Sequence, residues 1–96
     1  MYALLLLFPL GPGMRSTAEK LGDQFSPLHR AAKGFKNETF LADDTAGEYG
    51  SLTLWESKED IGAFQKAASP HLTKALTGIA KGPPSIRVFE VYEPKA

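Results

Sequence analysis

Tyr49-Gly50-Ser51-Leu52-Thr53-Leu54-Trp55 runs directly into Glu56-Ser57-Lys58-Glu59-Asp60, and how this stretch divides decides the fold. In an extended chain, side chains two apart share a face. Tyr49, Ser51, Thr53 and Trp55 therefore lie on one side and Leu52 and Leu54 on the other, which is a strand. The next residues open a helix: Ser57 can cap the backbone N–H of Asp60, while Glu59 and Asp60 meet the positive end of the helix dipole. The one tryptophan of the chain thus stands at a strand end beside a helix N-terminus. Such a residue either walls a ligand pocket, with Ser51 and Tyr49 to orient a bound molecule, or fills the gap between sheet and helix.

Working outward, Phe35 to Ala42 has the aromatic and threonine content of a strand, and Asp43-Asp44-Thr45-Ala46-Gly47-Glu48 is turn chemistry. These two strands form a hairpin. Upstream, Ser16 with Glu19 makes a capping-box signature for a helix whose stripe is Leu21, Phe25 and Leu28, extended by Ala18 and Ala32. Pro27 predicts a kink or a restart capped by Ser26, with Gly34 as the stop. On this stripe His29 falls beside Arg30, toward solvent. Downstream, Ile61, Phe64 and Ala68 recur at helical spacing. Ser69-Pro70 predicts a second helical piece carrying Leu72, Leu76 and Ile79, and Ser85 to Tyr92 reads as the last strand.

Tyr2 to Phe8 is apolar at every position. A strand of this kind is covered on both faces, whereas a two-layer domain covers only one. The second cover is expected from another copy of the chain, as a homodimer. The order βαββαβ with right-handed crossovers predicts an α+β fold, ferredoxin-like, with a four-stranded antiparallel sheet backed by helices.

Composition narrows the partners. The chain has 96 residues, enough for a single domain over 1–96 that buries roughly 60–65% of its unfolded surface. Eleven basic and eleven acidic residues cancel, which argues against nucleic acid and anionic membranes as partners. No basic residue precedes the first apolar run, and it is shorter than the ~20 residues of a membrane span. The absence of cysteine removes thiolate metal sites and thiol catalysis and suits a reducing, cytoplasmic setting.

Few residues offer chemistry. His71, in the first turn after Pro70, would be kept neutral by a helix N-terminus, and it is the candidate base; its alternative is a surface position. Arg87 aligns with Phe89 and Val91 on the last strand, a guanidinium on an apolar face that calls for Glu38, a partner carboxylate, a ligand or solvent. Two isolated histidines make no metal site, and Asp43-Asp44 is turn chemistry.

With these pieces in order, the chain resembles the antibiotic-biosynthesis-monooxygenase superfamily of dimeric α+β barrels. The carriers are the opening apolar strand, Ser26-Pro27-Leu28, Gly34-Phe35, Gly50 through Ser57, and Val88-Phe89-Glu90-Val91-Tyr92-Glu93-Pro94. The resemblance implies two sheets paired face to face. It also implies an enzyme without metal or flavin that deprotonates an electron-rich substrate, whose anion then reacts with oxygen. Trp55 matches the tryptophan of the oxidising members, while Ser51 stands where they carry asparagine and Ile61 where they carry tyrosine. The haem-degrading branch needs an asparagine, a tryptophan and a histidine at positions that here fall in the leucine run, at Phe64 and near Lys74, so haem degradation is not expected.

Two functions follow. The first is a cofactor-independent monooxygenase acting on a small planar aromatic or quinol-like substrate beside Trp55, with Ser51, Tyr49 and Arg87 as binding residues and His71 as base. The alternative is a non-catalytic dimeric module that keeps the barrel and binds a small molecule or a partner.

Overall fold

The computed structural model describes residues 1–94. Its elements are β1 (Tyr2–Pro9), α1 (Arg15–Ala31), β2 (Phe35–Asp43), β3 (Glu48–Trp55), α2 (Lys58–Leu76) and β4 (Ser85–Glu90). The strands form one antiparallel sheet in the order β2-β3-β1-β4. This is the expected ferredoxin-like arrangement.

Registers sort the side chains into two layers. Tyr2 pairs with Trp55, Leu4 with Thr53, Leu6 with Ser51 and Phe8 with Tyr49, and these residues face the helices. There Phe8, Leu10 and Tyr49 pack with Leu21 and Phe25 of α1 and Leu76 of α2, while Leu4, Trp55 and Ile61 form a second cluster. Trp55 and Tyr49 are wholly buried. Each such aromatic removes on the order of 200 Å² from water, an upper bound of roughly 5 kcal/mol apiece. Gly50 lets β3 approach β1: a Cβ there would stand 1.8 Å from the carbonyl oxygen of Leu6.

The other face of the sheet carries Leu5, Leu7, Leu52 and Leu54, and no helix covers it. Leu41 and Leu52 are each 36% exposed and Phe89 is 39% exposed. β4 is exposed along its whole length.

Both helices differ from expectation in one respect. α1 runs unbroken through Pro27 and α2 through Pro70, so neither is in two pieces. Both prolines are exposed, so the carbonyl that each ring deprives of a partner can be hydrated, and the buried face continues undisturbed. Ser57 caps α2 as expected, accepting from Asp60 N at 3.1 Å. Ser16 does not cap α1, which begins one residue earlier behind Met14 without a side-chain cap.

At Lys36 the hairpin departs from plain alternation. Phe35 pairs with Trp55 but Asn37 with Leu54, so Lys36 is an extra, bulged residue, and its Nζ reaches Glu56 at 2.6 Å on the surface. Beyond the bulge, Glu38 pairs with Thr53 and joins the face beneath the helices. Gly34 closes the preceding turn at φ +82°, and a Cβ there would lie 2.1 Å from an Asp60 carboxylate oxygen.

Candidate functional site

Between the sheet and the two helices lies a cavity of about 290 Å³, at the lower end of the roughly 300–1,000 Å³ typical of small-molecule sites. Its walls are mainly apolar, with Leu6 and Phe8 from the sheet, Phe25 from α1, and Phe64 and Leu72 from α2. Ser51, Gln65, Ser69 and His29 supply polar atoms, and the exposed Arg15, Glu19 and Phe40 lie at its rim.

His29 is the residue that the sequence reading misplaced. The buried stripe of α1 is Leu21, Phe25 and His29, while Leu28 is 38% exposed. The i, i+4 step from 21 to 25 continues to 29, and that spacing was the available signal. The His29 side chain is 8% exposed, with Nδ1 3.0 Å from Glu38 Oε2. Its ring stacks on Phe64 at 4.8 Å and on Phe35 at 5.9 Å. Burial pushes the His29 pKa below its ordinary 6.5, and contact with the Glu38 carboxylate opposes this. The neutral ring is the favoured form. Glu38 Oε1 accepts a hydrogen bond from the Ser26 hydroxyl, so Ser26 secures this carboxylate instead of capping a helix.

The residues expected at the site are dispersed. Ser51 lines the cavity. Trp55 does not: it sits one layer behind, edge-on to His29 at 6.5 Å and 5.0 Å from Phe64, with its indole Nε1 donating to Thr53 Oγ1 at 2.8 Å. Tyr49 is likewise absent from the lining. Its hydroxyl accepts from Met14 N at 3.0 Å and has Asp44 Oδ1 at 3.0 Å and Gly11 O at 3.3 Å as acceptors, tying the loop before α1 to the hairpin turn. The buried phenol is harder to ionise than usual, through desolvation above all. A structural tie is the consequence of a hydroxyl whose bonding capacity is spent inside the fold.

His71 is exposed and belongs to a separate depression between α1 and α2 that also includes Leu28 and Asp60. It is outside the cavity. Arg87 is on the sheet face turned away from the helices, since it pairs with Leu5, and its guanidinium lies 4.7 Å from the Phe89 ring centre. Among the described residues its partner is that ring, a cation–π contact, and no carboxylate. Among the described residues there is no cluster of three or more metal-ligating side chains, and no helix is long and apolar enough to cross a membrane.

No family profile matches the chain, and no curated protein matches it in sequence. Solved structures do. The monooxygenase ActVA-Orf6 of Streptomyces coelicolor, in complex with nanaomycin D, superposes with a TM-score of 0.76 at 22% identity, covering 99% of this chain and 90% of that one. A variant of SnoaB, a cofactor-independent oxygenase from Streptomyces nogalater, gives a TM-score of 0.76 at 16% identity, covering 97% and 94%. A variant of MhuD with two manganese protoporphyrin IX molecules per active site gives 0.73 at 22% identity, covering 100% and 99%. The chain therefore has the α+β fold of the antibiotic-biosynthesis-monooxygenase structures over nearly its whole length.

Proposed function

We propose that this chain is a monooxygenase-type oxidoreductase that works without metal or flavin on a small planar aromatic or quinol-like molecule held in the cavity beneath the helices. The observation that carries the reading is the cavity itself. Mainly apolar walls that include Phe8, Phe25 and Phe64, with a few polar residues among them, suit a ring system bearing one or two oxygens. Two relatives in fold are a cofactor-independent oxygenase and a monooxygenase seen with nanaomycin D, which supports the same substrate class here.

In such a reaction the protein binds, orients and desolvates the substrate and accepts a proton from it. For an anthrone-like carbon, CH₂ and O₂ become C=O and H₂O, so one oxygen atom is incorporated and the other leaves as water. Oxygen uptake with a panel of hydroquinones and anthrone is expected to exceed the buffer rate. Uptake equal to buffer across the panel overturns the catalytic reading.

A second reading, binding without turnover, is favoured by Trp55 and Tyr49, whose polar atoms are satisfied inside the protein and offer a ligand nothing. Anthraquinone binding by calorimetry without oxygen uptake would select it. Either function is proposed for a homodimer formed through the leucine-rich open face of the sheet, in the reducing cytoplasm that a cysteine-free chain suits.

A further inference from the structure

Plain alternation along β2 would set Glu38 on the face opposite Phe35. The bulge at Lys36 reverses that parity, so both residues turn in beneath α1. There the Glu38 side chain is 12% exposed. Arg30 is the nearest cation and a weak partner, its Nε 3.7 Å from Oε1 on a side chain 74% exposed. Glu38 Oε2 and His29 Nδ1 are both sealed from solvent and 3.0 Å apart, and among the described residues neither makes an aligned hydrogen bond, to the other or to a third group.

A carboxylate against Nδ1 selects the tautomer with the proton on that nitrogen. The lone pair is then on Nε2, and His29 is one of the residues that line the cavity. β3 and α2 set Trp55 and Phe64 around the ring, and among the described residues Glu38 is the charged group acting on it. A neutral imidazole, oriented by a carboxylate and walled by aromatics, is what proton abstraction from an acidic hydroxyl requires.

We infer that His29 is the proton acceptor of this cavity: Nε2 takes the proton of a phenolic or enolic hydroxyl on the bound molecule, with Glu38 as the positioning residue. The substrate O–H bond breaks, the Nε2–H bond forms, and the electron pair stays on oxygen as a phenolate. The imidazolium is then paired with Glu38. No oxidant enters this step. The inference deepens the oxidative reading of the same cavity and rests on it for the substrate class, but the proton transfer can be observed without turnover.

The probe is 2-hydroxyanthraquinone, whose visible absorbance moves to longer wavelength on ionisation. Below the pH at which the free dye ionises, the wild-type protein is expected to hold it as the phenolate. His29→Gln is expected to bind it within about 3-fold yet keep it neutral, and to lose anthrone-dependent oxygen uptake by about 100-fold or more. Glu38→Gln keeps the ring but makes it a weaker base. Its bound dye is less ionised, and the acidic limb of its uptake profile moves to lower pH, a shift that a purely structural role would not produce. Should His29→Gln fail to fold, Glu38→Gln decides alone.

An equally ionised dye in His29→Gln, or a neutral dye bound to the wild type, overturns the assignment whatever the oxygen electrode shows. Ionised dye without oxygen uptake leaves His29 as the acceptor and removes the oxygenase reading. Failure to bind at all removes both.

Discussion

Because burial holds the His29 pKa below 6.5, the unfolded chain binds a proton that the folded chain refuses between that lowered value and 6.5. Stability therefore rises with pH through this window, is fully present above it, and is lost as pH falls across it. Urea unfolding at about pH 5.5 is expected to give a smaller free energy than at about pH 7.5, and His29→Gln should remove most of the difference; equal slopes in the two proteins would show that the ring stays solvated. The pairing with Glu38 was not legible in the sequence. Strand parity alone sends Glu38 away from the helices, and only the extra residue Lys36 brings it back. Trp55 was legible as an inward residue but not as one screened from the cavity, because which of two stacked aromatics faces the empty space depends on how His29 and Phe64 pack over it.

At the scale of elements, the two helix starts make a matched pair. Ser57 accepts from Asp60 N, so Ser57→Ala should cost about 1 kcal/mol. Ser16 lies inside the first turn of α1 with no capping bond, and Ser16→Ala should stay within about 0.5 kcal/mol of wild type. Thermal or urea denaturation of both variants checks the pair, and equal losses would place the start of α1 elsewhere. The strands, their order and the two crossover helices could be read from periodicity because burial enforces it. The proline interruptions could not, since whether proline breaks a helix depends on which side its ring faces. At Pro27 and Pro70 that side is solvent.

The whole molecule presents one covered and one bare face of the same sheet. Leu5, Leu7, Leu52 and Leu54 lie on the bare face beside the half-exposed Leu41 and Phe89. A continuous apolar surface of this kind is unusual on a protein that works alone. If a second copy covers it, burying something on the order of 1,600 Å² in all, then Leu52→Lys sets charges into the interface and should give a monomer at micromolar concentration by light scattering. A wild-type monomer at the same concentration would exclude the paired arrangement. The doubly apolar Tyr2–Phe8 segment made this face legible in the sequence, since no single layer of helices accounts for an apolar residue at every position.

Trp55 has a consequence for the molecule as a whole. The chain contains one tryptophan, wholly buried and edge-on to the His29 ring, so its indole emission, excited selectively beyond the tyrosine absorption, comes from a single known place. A protonated imidazole quenches indole fluorescence by accepting an electron from the excited ring, whereas a neutral one does so weakly. The intensity of the native protein should therefore dim as His29 takes up a proton and recover when it gives it back, which makes the fold its own optical proton gauge, with no label attached.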